Sequence, residues 1–263
     1  MSNLDEASIR PNKVTLFSTC MVEQLTPEVG RSAIEVLELL GVDVEYVDDQ
    51  TCCGQPAFNS GFRSEAHPVA ARFVDLFEKT TGPIVVPSGS CAAMVRNYYQ
   101  HLFRDEPEIK NRAEAVSERL YEFTEFVVEF FGTSALKGQT ALSNTAAYHK
   151  CCHLLREIKI DEEPIQMLNN VEGLDMVPLE RADVCCGFGG SFSVKMADIS
   201  TAVLHEKLDY IEKSGADTVV AADTGCVLQM QGGLRRRAST VRVVHIAEFL
   251  AESAQNAKAG KQL

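Results

Sequence analysis

Cys-Cys-Gly occurs twice in this chain, as Cys52-Cys53-Gly54 and Cys185-Cys186-Gly187. A lone cysteine precedes each copy, with Cys20 lying 32 residues before Cys52 and Cys152 lying 33 before Cys185. Another follows each, Cys91 at 38 residues after Cys53 and Cys226 at 40 after Cys186. Four thiols at matched spacing, repeated once, imply two built thiolate sites: Cys20, Cys52, Cys53 and Cys91 in one, and Cys152, Cys185, Cys186 and Cys226 in the other. The chemistry to expect is redox or metal chemistry. A 4Fe–4S cluster takes four thiolates, and each set supplies four. Glycine after the pair lets the chain turn with φ > 0 and brings backbone N–H groups near sulfur.

Three other readings compete. Structural zinc takes cysteines in short C-x₂₋₄-C knuckles, and the chain has no C-x-x-C, so the ligand pattern favours iron–sulfur and leaves a zinc-stabilised scaffold as the metal alternative. Thiol–disulfide chemistry would use the adjacent pairs but gives the lone cysteines no role. Free cysteines also serve as small buried hydrophobes, which does not account for a spacing that repeats. Cys151 is left over, because alignment of the repeats sets Cys152 opposite Cys20. It reads as a packing residue, with a spare or exchanging ligand as the alternative.

The remaining composition narrows the class. The 263 residues include 25 basic and 37 acidic side chains, a net charge of −12. That balance argues against nucleic acid and anionic membranes as partners. Arg235-Arg236-Arg237 reads as a solvated helix face rather than a docking patch. No signal peptide and no apolar run of membrane-spanning length is visible. A cytoplasmic location with nine reduced cysteines is therefore expected.

The elements that must position these thiols alternate between strand and helix. Val14–Ser18, Val42–Val47 and Ile84–Val86 read as strands. Thr26 and Pro27 open a helix that buries Val29, Ala33, Val36, Leu37 and Leu40, and Gly41 ends it. Further helices are expected from Ser64, from Cys91 to Leu102, and over Ala113–Phe131. The second half repeats the order, with strands at Thr145–Tyr148, Leu174–Leu179, Thr218–Ala221 and Val241–Val244. Helices fall at about Val194–Lys213 and through Glu252. Matched cysteines are offset by 132 (Cys20 and Cys152), 133 (Cys53 and Cys186) and 135 (Cys91 and Cys226). The expected fold is α/β and internally duplicated: two pseudo-twofold-related halves, 1–133 and 134–263, with parallel sheets flanked by helices. The tail after Ala254 is expected to be disordered. In such sheets ligands bind at the carboxyl ends of strands, and each cysteine position follows a strand.

At this point the chain resembles the cysteine-rich CCG-domain proteins, among them the cysteine-rich subunit of heterodisulfide reductase and the glycolate oxidase iron–sulfur subunit. It resembles most the lactate utilisation protein A family. The motifs that carry the likeness are Cys52-Cys53-Gly54-Gln55-Pro56-Ala57, Ser88-Gly89-Ser90-Cys91, and Tyr148-His149-Lys150-Cys151-Cys152-His153. To these are added Cys185-Cys186-Gly187-Phe188-Gly189-Gly190 running on to Met196, and His245-Ile246-Ala247-Glu248. The resemblance implies an iron–sulfur electron-transfer subunit of a multi-subunit system that oxidises L-lactate to pyruvate. It implies other lactate utilisation subunits as partners, one of them carrying further iron–sulfur clusters. A heterodisulfide-type thiol–disulfide reductase is the alternative. The fuller family pattern ends in C-x-x-C, whereas Met94 and Gln229 stand at the fifth position here. An ordinary four-thiolate cluster in each half is the simpler expectation than a noncubane one.

His149 and His153 flank the Cys151-Cys152 pair and are the candidate proton-handling residues, with loop histidines satisfied by backbone as the alternative. His67 reads as an exposed first-turn residue. His245 with Glu248 reads as a helix entry. Gly187-Phe188-Gly189-Gly190 departs from G-x-G-x-x-G, and two cysteines occupy its mouth, so a dinucleotide loop is not indicated. Ser191 and Ser193 have no triad partners in the pattern.

Overall fold

The computed structural model describes residues 10–136, 138 and 145–259. The first half runs β1 (Lys13–Leu16), α1 (Cys20–Leu25), α2 (Pro27–Leu39), β2 (Asp43–Tyr46), α3 (Gln55–Asn59), α4 (Arg63–Phe77), β3 (Ile84–Val86) and α5 (Gly89–Ala93). A π-turn over Met94–Tyr98 leads to α6 (Tyr99–Leu102), and α7 (Pro107–Ser117), β4 (Leu120–Glu122) and α8 (Phe123–Phe131) follow. The second half runs β5 (Thr145–His149), α9 (Cys152–Glu157), α10 (Glu162–Asn169), β6 (Asp175–Met176), α11 (Phe192–Lys195), α12 (Ala197–Ser214), β7 (Thr218–Ala221), α13 (Thr224–Arg236), β8 (Arg242–His245) and α14 (Ile246–Ala259).

Each half builds one four-stranded parallel sheet, and the orders match: β2-β1-β3-β4 and β6-β5-β7-β8. The register repeats too, since Thr15 pairs with Ile84 and Ala147 with Val219. The order reverses beside β1 and beside β5, and at such a switch the crossover helices leave on opposite faces and open a crevice at the strand ends. Cys20 and Cys91 follow the two strands that flank the first crevice, and Cys152 and Cys226 those that flank the second.

The halves pack reciprocally. Helix α1 lies on α13 while α5 lies on α9; α2 lies on α14 while α8 lies on α10. Each contact has its counterpart with the roles of the halves exchanged, as in an isologous pair. Gly89 is the closest point of α5 on α9, where an added Cβ would sit 2.9 Å from the Leu154 Cβ. Behind the first site, Phe17, Phe73 and Phe77 form an aromatic cluster, with Phe17 and Phe73 centred 4.8 Å apart and edge to face. Such contacts pack α4 against the end of β1, just before Cys20.

Two expectations are corrected. Ala113–Phe131 is not one helix, because β4 interrupts it. The Arg119 carbonyl accepts from the Ile84 N–H at 2.7 Å, so the chain joins the sheet edge there. The closing helix does not stop at Glu252 but runs to Ala259, into the stretch after Ala254 expected to be disordered, held by burial of Ser253 and Ala254 and by Gln255 Nε2 donating to Glu35 at 2.8 Å. Residues 260–263 of the expected tail lie outside the described residues. No helix among the described residues is long and apolar enough to cross a membrane.

Candidate metal centre at the junction of the halves

Both cysteine sets open into one cavity of about 240 Å³, and all nine cysteines line it. None forms a disulfide. In the first set Cys53 Sγ lies 3.5 Å from Cys91 Sγ; in the second Cys186 Sγ lies 3.1 Å from Cys226 Sγ. The Cys-Cys-Gly turns are built alike. Gly54 and Gly187 take φ of +87° and +85°, and each turns its N–H back to the first sulfur of its pair, at 3.4 Å for Cys52 and 3.3 Å for Cys185. Tyr99, fully buried beyond the π-turn, donates its hydroxyl to the Cys53 carbonyl at 3.0 Å and fixes that loop. Gln55 Nε2 donates to the Ser90 carbonyl at 2.8 Å and ties the Cys52-Cys53 loop to the Cys91 loop.

The thiols of each set form a continuous row. Cys52 receives hydrogen bonds from the Cys20 and Cys53 thiols and from the Gly54 N–H, which hold its sulfur as thiolate with a pKa of about 3. Cys185 is held the same way by Cys152, Cys186 and the Gly187 N–H, at about 2. The donors shift the opposite way: hydrogen bonding to Cys52 raises Cys20 and Cys53, and hydrogen bonding to Cys185 raises Cys152 and Cys186. One anion per row is what neighbouring thiols can support without a cation. A bound metal would supply the charge to ionise the rest.

Between the rows stands a residue that the spacing of the cysteines did not single out. Asp223 caps α13, its Oδ1 accepting from the Gly225 N–H at 3.1 Å. Its Oδ2 crosses to the other half, accepting from the Ser90 N–H at 3.0 Å and from the Ser88 hydroxyl at 3.2 Å. Ser88 is itself the cap of α5, accepting from the Cys91 N–H at 3.3 Å. The two equivalent caps thus meet each other beside the cavity. An aspartate before Thr-Gly-Cys was the available signal.

The histidines divide. His153 lines the cavity, with Nδ1 3.7 Å from Cys152 Sγ. His149, at the end of β5, is fully buried, and among the described residues no hydrogen bond of ordinary geometry reaches either ring nitrogen, the Ala182 backbone being its weak neighbour. Burial, reinforced by the nearby Lys207 charge, lowers its pKa to about 3. Cys151 is buried too and stands in the wall beside Cys226 rather than apart from the site. Elsewhere, His67 pairs with Glu106 at 2.6 Å, and His245 and Glu248 close the entry to α14, with the His245 N–H on Glu248 at 3.2 Å. Arg237 pairs with Asp209 and Glu212 on the outer face of α12.

The donor set suits a thiophilic metal or an iron–sulfur group: soft sulfurs converge, backbone N–H groups point at two of them, and the Asp223 carboxylate is already engaged by N–H and O–H donors.

Comparison with known proteins places the chain in a family. A family model described as a cysteine-rich CCG domain matches twice, over residues 14–96 and 146–231. Lactate utilization protein A of Bacillus pumilus is 45% identical over 238 residues, covering 90% of this chain and 98% of its own length. Lactate utilization protein A 2 of Bacillus cereus is 42% identical over 240 residues, covering 91% and 98%. A crystal structure of a hypothetical protein from Helicobacter pylori shares the fold at 13% identity and a TM-score of 0.62, over 92% of this chain and 49% of that one. With two CCG copies and full-length likeness of this degree, the chain belongs to the lactate utilization protein A family of cysteine-rich CCG-domain proteins.

Proposed function

We propose that this chain is the iron–sulfur electron-transfer subunit of a cytoplasmic multi-subunit system that oxidises L-lactate to pyruvate. The observation that supports the reading most is the pair of four-thiol rows on one cavity. The names of the relatives point to lactate. Cys20, Cys52, Cys53 and Cys91 would hold one 4Fe–4S cluster, and Cys152, Cys185, Cys186 and Cys226 a second. When bound, such clusters accept and pass on single electrons.

The chain's own residues do the positioning. Gly54 and Gly187 give N–H donors to sulfur. Tyr99 and Gln55 hold the first Cys-Cys loop. Asp223 fixes the helices that carry Cys91 and Cys226 relative to each other. His153, beside Cys152, is the group placed to move a proton at the cavity wall.

Lactate gives up two electrons and two protons on becoming pyruvate, and the sequence carries no nicotinamide or flavin motif to take a hydride. The other lactate utilisation subunits, at least one with further clusters, are therefore needed. Deletion of this protein should abolish growth on lactate in a cell without other lactate dehydrogenases. The anaerobically purified chain should show iron, acid-labile sulfide and absorbance at about 400 nm that bleaches on reduction, yet not oxidise lactate alone. Turnover of lactate by the isolated chain with an artificial acceptor would overturn the relay role, and zinc in place of iron and sulfide would overturn the cofactor.

A further inference from the structure

The two cysteine sites are not copies of each other. In the first half the position three residues before Cys20 is Phe17, and Thr19 precedes the cysteine. In the second half the same positions hold His149 and Cys151. The glycine turns extend the match into the helices. The carbonyl facing an added Cβ is that of Ala66 at Gly54 and that of Ser200 at Gly187, so Lys207 on α12 stands where Phe73 stands on α4. The edge-to-face contact of Phe17 with Phe73 is thus replaced by an imidazole and an ammonium group.

These replacements are polar and buried, and such groups cost stability unless a partner or ligand engages them. His149 is fully buried, and among the described residues no hydrogen bond of ordinary geometry reaches its ring nitrogens, with the Ala182 backbone as its weak neighbour. A ring nitrogen of His149, Cys151 Sγ and Cys226 Sγ all lie within 4.8 Å of one another. The Cys151 thiol makes a long contact of 3.7 Å to the His149 carbonyl and lies against the Cys226 thiol. Lys207 is fully buried and donates to the Arg181 and Ala182 carbonyls at 2.7 and 3.2 Å, which places a cation behind the wall that carries the extra thiol. An added thiolate needs added positive charge nearby, and the first half, with four thiols, has a phenyl ring there.

We propose that Cys151 and His149 are ligands of the second centre together with Cys226, so that the second site binds its metal through five thiolates and one imidazole while the first uses four thiolates. This rests on the reading of the rows as metal sites. Coordination of Cys151 releases its thiol proton to solvent and involves no change of oxidation state. In the second half the arrangement supplies from within the chain what Gln229 does not supply at the family's fifth cysteine position.

The test uses the full chain, purified anaerobically and reconstituted with ferrous iron and sulfide. His149→Phe and Cys151→Thr install what the first half carries at the same positions. Both should change the same one of two spectroscopically distinct reduced signals and leave the other untouched, while Cys20→Ser should affect only that other signal. Pulsed EPR on protein labelled with ring-¹⁵N histidine should show nitrogen coupling in the parent chain, retained in His153→Ala and lost in His149→Phe. If His149→Phe does not fold, coupling in the parent and His153→Ala proteins decides the point. A separate arm titrates the metal-free chain with Co(II), whose sulfur-to-cobalt absorption reports thiolates whatever the native metal, and Cys151→Thr should lose part of it. Unchanged signals in Cys151→Thr, or no nitrogen coupling, would overturn the proposal. A chain that takes up no iron and sulfide but loses cobalt absorption in Cys151→Thr would overturn the iron–sulfur reading and keep the ligand set.

Discussion

Cys52 and Cys185 occupy the middle of their rows, each receiving two thiols and the N–H of the glycine that follows the pair. Cys53 and Cys186 lie beside them and are almost wholly buried, each within hydrogen-bonding distance of the last cysteine of its row. A serine at either place keeps the volume and removes the soft donor, and a hard oxygen is a poor substitute for sulfur toward iron. Cys53→Ser and Cys186→Ser should each lose roughly half of the bound iron, one centre's worth, with the other centre intact. Iron and sulfide analysis of anaerobic protein checks this. Loss of all iron from either variant would mean that the rows form one indivisible centre. The repeated spacing made the eight ligand candidates legible, because a thiol set is visible in residue types alone. Cys151 was not legible in the same way. It lies one residue from the matched position, and only the fold brings its sulfur beside Cys226, far along the chain.

At the scale of elements, the Cys-Cys-Gly turns are the most constrained pieces. Gly187 combines φ of +85° with an added Cβ 2.5 Å from the Ser200 carbonyl oxygen, a backbone atom that cannot step aside. Gly41 has a similar φ of +81° and open space. Gly41→Ala should therefore cost about 1–2 kcal/mol from the left-handed backbone alone. Gly187→Ala should cost more, displace the Cys185-Cys186 loop from α12, and lower iron content. Thermal unfolding of the two variants side by side separates the terms, and equal losses would refute the steric one.

The β4–α8 boundary carries a pH dependence. Glu122 caps α8 through the Thr124 N–H at 2.7 Å, and burial raises its pKa to about 8. The unfolded chain releases that proton near the usual carboxylate value, about 4.3. Between the two values the folded state holds more protons, so stability falls as pH rises, by up to about 1.4 kcal/mol per unit, and levels off above pH 8. Glu122→Gln removes this slope, and urea unfolding at several pH values in that window should show a flatter profile than the parent. The same boundary explains the misread helix. Apolar residues on both sides of Leu120–Glu122 continue a helical pattern, and a glutamate cap with Glu125 in the third position is a weaker signal than serine or aspartate. β1, β3, β5, β7 and β8 were legible as short, mostly buried runs and β2 as an alternating one, while of the expected strand Leu174–Leu179 only Asp175–Met176 pairs, as β6. β4 is a strand because β3 offers it an edge, which no local pattern records.

For the whole molecule, the site exists only at the junction. Each half delivers its thiols to the shared cavity, and Asp223 bridges the caps of α5 and α13. Asp223→Ala would leave the Ser90 and Gly225 N–H groups without their acceptor, at a cost of roughly 2–4 kcal/mol. It should lower iron retention at both centres, since Cys91 and Cys226 sit in the first turns of these two helices. Iron analysis beside calorimetry checks this, and a drop confined to one centre would show that the halves hold their thiols independently.

The meeting of Ser88 with Asp223 has a consequence for how such a molecule can be assembled. Both residues occupy the same place in their repeats, so in a dimer of identical copies the axis would bring together two carboxylates or two hydroxyls. Two carboxylates would repel, and two hydroxyls would leave the N–H donors of both copies without an anion. Joining the repeats in one chain lifts that restriction, because a substitution no longer appears twice. The hydroxyl–carboxylate pair, and with it every difference between the two walls of the cavity, is accessible only when the two copies are free to differ, as they are within one chain.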